Sequence, residues 1–124
     1  MAKKRVLVVD DEKDFTKLVK SNLEKTGYYD VWTENLGSRA LGAAKQFHPD
    51  IIFLDIIMPD MDGGDVAKQI QEDNLVSDIP IVFITAATTK DEVYSTRGVI
   101  GGHPFRAKPV TTEELINCIE DYVV

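Results

Sequence analysis

A single cysteine, Cys118, leaves this chain of 124 residues unable to form an internal disulfide, and a reducing, intracellular setting is the default expectation. No apolar stretch comes near the length that a membrane span requires. The opening, MAKKRVLVVDD, carries a short basic lead but passes straight into a strand pattern. A signal peptide would need a longer apolar core and a small-residue cleavage site. Basic residues are in the minority. The 14 Lys and Arg against 21 Asp and Glu leave a net charge of −7, which argues against a nucleic-acid surface, because phosphate backbones attract basic faces. No glycine-rich phosphate loop marks a flavin or nucleotide module, and Trp32 and Tyr94 read as packing or surface aromatics rather than a base-stacking platform. Repeats, linkers and low-complexity segments are absent too, so residues 1–124 read as one domain, long enough to bury a core.

What is present alternates between strand and helix patterns. RVLVVDD (5–11) is an apolar run ending in acids. Phe15, Leu18, Val19 and Leu23 then fall at helical spacing over about 12–26, with Gly27 as the stop. YDVWTE (29–34) alternates as a second strand, and Leu36, Ala40, Leu41, Ala44 and Phe47 suggest a second helix closed by His48-Pro49. DIIFLD (50–55) is a third strand, followed by a turn from Pro59 to Gly64 and a third helix to about 73 around Val66 and Ile70. IPIVFIT (79–85) is a fourth strand; a weak helix near 89–99 and a fifth strand near 103–107 come next. Thr111 or Thr112 caps a last helix with Leu115, Ile116, Ile119 and Tyr122 on one face. Five βα units in succession predict an α/β fold, a parallel sheet with helices on both faces.

The strand ends carry the chemistry. The first strand finishes at Asp10 and Asp11, the third at Asp55, the fourth at Thr85 and the fifth at Lys108. In a parallel sheet the strand C-termini share one edge, where open α/β folds place their ligand crevice. A lone acid there is usually a helix cap or a solvated end, and Lys-Pro is usually a surface lysine before a turn. Four strands that each finish in a reactive polar group are hard to explain as packing.

The motifs VVDDE (8–12), LDIIMPDMDG (54–63), ITAA (84–87) and KP (108–109), in that order, resemble the receiver domain of bacterial two-component response regulators, over essentially the whole chain. The resemblance implies a doubly wound (βα)5 fold like that of the chemotaxis regulator CheY, flavodoxin-like, with strand order 2-1-3-4-5. It implies that Asp55 accepts a phosphoryl group, a role for which a carboxylate is a workable nucleophile. It implies a divalent cation, Mg²⁺ or Mn²⁺, held by Asp10, Asp11, Asp55 and the backbone carbonyl of Ile57; all-oxygen ligation of that kind suits these hard cations better than zinc. Two carboxylates about 5 Å apart repel by roughly 3 kcal/mol at an effective dielectric near 20, which a bound cation would remove. Lys108 is expected to pair with Asp55 at rest and with a phosphoryl oxygen afterwards, beside a cis peptide at Pro109. Thr85 is expected to donate its hydroxyl to the phosphoryl group, next to the small Ala86, and Thr85 and Phe105 to act as the switch pair.

Other residues read more plainly. Pro59 and Gly63 shape the loop under Asp55, while Asp60 and Asp62 read as solvated or capping acids. His103-Pro104 departs from the acidic residues that relatives often carry there; proline suits a strand start, and His103 reads as an exposed strand-entry residue. Ile57 and Ala87 offer no polar group to hold a hydrolytic water, so loss of the phosphoryl group should be slow. Residues 93–102, VYSTRGVIGG, are rich in glycine and β-branched residues, and in the segment from Thr88 to Gly102, Gly98 alone costs a helix roughly 1 kcal/mol relative to alanine. That makes it, with the fifth strand, Arg106 and the last helix, the expected output surface.

The expected function is a cytoplasmic, phosphorylation-dependent signalling switch rather than a metabolic enzyme. Its expected partners are a sensor histidine kinase or histidine phosphotransfer protein and a downstream output protein or domain, with neither nucleic acid nor membrane bound directly. The chain is expected to be a single-domain regulator or a receiver from a longer one. The rival reading, an Asp-nucleophile phosphohydrolase, would want a second acid two residues past the nucleophile, where Ile57 stands.

Overall fold

The computed structural model describes residues 2–86, 99–100 and 102–123. Strand β1 (Lys4–Val9) has β2 (Tyr29–Glu34) on one side and β3 (Ile51–Leu54) on the other. β4 (Ile81–Thr85) follows β3, and β6 (His103–Ala107) follows β4, all parallel. This frame, β2-β1-β3-β4-β6, is the expected 2-1-3-4-5 order. One piece was not foreseen: a two-residue strand β5 (Val99–Ile100) pairs antiparallel with the start of β6. Gly102, at φ +85°, supplies the left-handed turn that reverses the chain between them. The weak helix expected near 89–99 lies outside the described residues except for Val99, which is in β5.

The central strands are apolar at successive positions because both of their faces are covered. Leu7, Val9, Ile52, Leu54 and Phe83 point to one side and pack on α2 (Ala40–Phe47) and α3 (Gly63–Glu72). Val6, Val8, Ile51, Phe53, Val82 and Ile84 point to the other and pack on α1 (Lys13–Glu24) and α4 (Thr112–Tyr122). Edge strand β2 instead alternates, Tyr29 and Val31 buried and Asp30 exposed. Thr111 is the cap of α4: its hydroxyl accepts from the Glu114 N–H in a complete capping box.

Two helical details differ from the sequence reading. The buried stripe of α1 is Thr16, Val19 and Leu23, whereas Leu18 is 59% exposed. The second helix begins as a 3-10 turn (Gly37–Arg39) and leaves Leu36 exposed, and its α-helical part buries the small Ala40, Ala43 and Ala44. His48, at φ 50°, ends it just before Pro49. Pro104 lies near the start of β6, one residue before its ladder with β4 begins at Phe105, and its register partner on the other side is Val99 of β5. His103 is not an exposed entry residue. It is half-buried edge-on to Phe83, with ring centroids 5.6 Å apart, and that burial holds its pKa below the usual histidine value.

Candidate functional site

The sheet brings the strand-end residues together through its own backbone ladder. Val9 stands beside Leu54, Leu54 beside Phe83, and Thr85 beside Ala107. Each ladder then runs one hydrogen bond further: Asp10 N donates to Glu34 O at 3.0 Å, Asp55 N to Val9 O at 2.9 Å, and Lys108 N to Thr85 O at 2.9 Å. The residue after each strand is thereby fixed at the sheet edge although it lies outside the strand.

Asp10, Asp11 and Asp55 offer oxygen atoms all within 4.8 Å of one another. Asp10 and Asp55 are buried and Asp11 is exposed. Beside them lies a cleft of about 330 Å³ whose walls include Asp11, Asp55, Thr85 and Lys108, with Glu12, Ile57 and Ala86 completing them. Ile57 is 62% exposed at this cleft, while Ala87, the other apolar residue noted for the water, lies outside the described residues. Phe105 is buried in the core against the α2–α3 side. By strand alternation Thr85 faces the same side as Phe83, the register partner of Phe105, so Thr85 and Phe105 share a face of the sheet.

The electrostatics are those of crowded acids. Burial, and then the charge of Asp10, push the Asp55 carboxyl up to about 7, against the pull of Lys108. Burial also raises Asp10, outweighing the Lys108 ammonium and the Glu12 N–H that donates to its Oδ1 at 2.9 Å. At Lys108 the balance is reversed: burial favours the neutral amine, yet contacts with Asp10 and Glu12 prevail and raise its pKa. The expected resting pair of Lys108 with Asp55 is not the one formed. Lys108 Nζ lies 2.8 Å from Asp10 Oδ2 and 2.9 Å from Glu12 Oε1. Asp10 Oδ2 meets the ammonium directly at the end of β1, whereas Asp55 acts on Lys108 only through longer-range charge.

The acids fit a hard divalent cation. Asp10, Asp11 and Asp55 form an all-oxygen donor set within 4.8 Å, and the one ammonium on Asp10 does not offset the charge of three gathered carboxylates.

Several supporting residues were not legible beforehand. Asn35 Nδ2 donates to Asp10 O at 2.8 Å and to Thr16 Oγ1 at 3.1 Å, tying the loop after β2 to the end of β1. Asp60 does cap, but across the chain: it accepts from the N–H groups of Gly37 and Ser38, and these bonds, Ser38 first, hold its carboxyl below the usual range. Asp62 is the N-cap of α3 without a side-chain hydrogen bond. Gly63 N donates to Ile56 O at 2.7 Å, and a Cβ on Gly63 would collide with Asp55 O. The Lys108–Pro109 peptide is cis.

Comparison with known proteins agrees with this arrangement. The family model of the response regulator receiver domain matches residues 6–120. The alkaline phosphatase synthesis transcriptional regulatory protein PhoP of Bacillus subtilis is 39% identical over 114 residues, 90% of this chain but 45% of its own length. The polar-differentiation response regulator DivK of Brucella ovis is 32% identical over 121 residues, 97% of this chain and 96% of its own. The chain thus spans less than half of PhoP and nearly all of DivK. Among solved structures, the chemotaxis protein CheY4 of Vibrio cholerae superposes with a TM-score of 0.83 at 28% identity, covering 98% of this chain and 100% of that one. The chain belongs to the response regulator receiver domain family of two-component signalling. Such domains are signalling proteins rather than metabolic enzymes, receive phosphoryl groups from histidine kinases and bind Mg²⁺ at an acidic pocket.

Proposed function

We propose that Asp55 is the phosphoacceptor of a cytoplasmic signalling switch, with a histidine kinase or histidine phosphotransfer protein as donor. The observation that carries this reading is the gathering of Asp10, Asp11 and Asp55 within 4.8 Å beside a cleft that Thr85 and Lys108 also line. Mg²⁺ or Mn²⁺ would be held by the three carboxylates and the carbonyl of Ile57. When bound, the cation supplies positive charge that offsets the clustered acids and the phosphoryl oxygens.

The chain's own residues do the rest by positioning and charge. An ionised Asp55 oxygen attacks phosphorus. The O–P bond forms as the P–N bond to the donor histidine breaks, and the bonding pair leaves with the imidazole nitrogen. Lys108 exchanges a carboxylate contact for a phosphoryl oxygen, and the Thr85 hydroxyl donates to another. Thr85 and Phe105 share a sheet face, so a shift of Thr85 toward the phosphoryl group alters the space beside Phe105 and carries the change to β6, Arg106 and α4, where an output protein or domain reads it. The apolar Ile57 at the cleft holds no water in line, so the modified state decays slowly. Incubation with acetyl phosphate tests the reading: labelling should need Mg²⁺, vanish in EDTA, and vanish in Asp55→Asn. Persistent Mg²⁺-dependent labelling of Asp55→Asn would contradict it.

A further inference from the structure

We propose that Glu12 is a positioning residue for Lys108, holding its ammonium on the α1 side of the cleft until a phosphoryl oxygen on Asp55 takes its place. The inference rests on the roles assigned above to Asp55 and Lys108. Its basis is a seat built from the N-terminal end of α1. The Lys108 ammonium lies 2.9 Å from Glu12 Oε1 and 4.5 Å from the centroid of the Phe15 ring. Glu12 is the N-cap of α1 and Phe15 lies in its first turn, and both meet the ammonium at the N-terminal end of that helix. The carboxylate contributes charge and the ring a cation–π contact. Glu12 is itself anchored, because its N–H donates to Asp10 Oδ1 at 2.9 Å.

The position of Glu12 gives the contact a consequence. Glu12 stands outside the group of three acids gathered for a cation. A cation taking up the charge of Asp10 weakens that acid's hold on Lys108, whereas the hold of Glu12 persists. Glu12 is then the remaining competitor with a phosphoryl oxygen for the ammonium. Its side chain is 62% exposed, so the contact belongs to the weak, salt-sensitive class of surface ion pairs. It is strong enough to bias Lys108 and weak enough to be released.

The test compares the parent with Glu12→Gln and the charge-conserving Glu12→Asp at saturating Mg²⁺. Labelling by acetyl phosphate at low ionic strength should be about twofold to fivefold faster in Glu12→Gln, the span of an exposed ion pair. Glu12→Asp should stay near the parent, and added salt should close the gap. The Nζ resonance of Lys108, assigned with Lys108→Arg, adds a readout that a change in the donor's surroundings would not move. Glu12→Gln should shift it in the resting protein, and parent and variant should coincide once Mg²⁺ and beryllofluoride are bound. An unmoved resonance, or an unchanged rate, overturns the positioning role. Asp55→Asn separates the two assignments: label surviving there sinks the phosphoacceptor, whereas label lost there with Glu12→Gln equal to the parent sinks only the role of Glu12.

Discussion

Lys108 rests on Asp10 rather than on Asp55, with Nζ 2.8 Å from Oδ2 of an acid only 1% exposed. Asp55 is left to face burial and the Asp10 charge, and its carboxyl rises to about 7. The resting site therefore stores repulsion, and four expectations about its stability and turnover come from that and from the surrounding backbone.

The repulsion should be visible as pH dependence. An acid whose folded pKa lies above its unfolded value stabilises the fold below the unfolded pKa and loses that contribution as pH rises through the folded one. For Asp55 the window runs from 3.8 to about 7. In EDTA, Asp55→Asn should be more stable than the parent at pH 8, and its advantage should shrink steadily toward pH 5. Urea denaturation of both proteins across that range checks it; a constant difference would contradict the raised Asp55.

Divalent cation should relieve the same repulsion. At a Mg²⁺ concentration 100-fold above its Kd, binding to the folded state alone stabilises by about 2.7 kcal/mol. Thermal denaturation at pH 8 should show a clear rise in Tm with Mg²⁺ for the parent and little for Asp10→Asn or Asp55→Asn. Equal rises in all three would place the ion elsewhere.

Much of this site can be read in the sequence because Asp10, Asp55 and Thr85 each close a buried apolar run and Lys108 closes the last parallel strand. Parallel pairing then brings Asp10, Asp55, Thr85 and Lys108 to one edge, whatever the intervening loops do. The partners of those side chains were less legible. Glu12 and Lys108 are 96 residues apart, and which of three nearby acids a lysine reaches depends on how the side chains are placed in the packed fold. The reach of Asp60 to Gly37 and Ser38 is long-range in the same way. Leu18 was misread because its helical spacing matches that of the core stripe, although it lines an open groove between α1 and α4 and stays largely exposed. β5 escaped notice because two residues carry no periodicity.

Close backbone approach under Asp55 makes Gly63 specific. A Cβ there would meet Asp55 O and lie 2.7 Å from Ile56 Cα, both backbone atoms that cannot step aside like a side-chain tip. Gly63→Ala should cost about 1–3 kcal/mol, the range for overpacking, and should also weaken Mg²⁺ binding by displacing the Asp55 loop. Gly64→Ala is the control. A Cβ there meets nothing within 4 Å, and alanine is favoured over glycine in a helix by about 1 kcal/mol. Chemical denaturation of the pair should show opposite signs.

The lifetime of the modified state should depend on Ile57, which lines the cleft without a polar group. Ile57→Asn adds a side chain able to hold a water near phosphorus, and release of inorganic phosphate should accelerate severalfold. A variant that decays at the parent's rate would show that position 57 does not limit access of water.

The central claim, that Asp55 is where the phosphoryl group goes, is tested most directly by mapping it. Protein labelled by acetyl phosphate in Mg²⁺ is reduced with borohydride, which converts an aspartyl phosphate to homoserine, and is then digested and sequenced by mass spectrometry. Homoserine should stand at position 55 alone, in amounts that follow the labelling and disappear with EDTA. Homoserine at position 10 or 11, or labelled protein in which Asp55 is unmodified, would contradict the account.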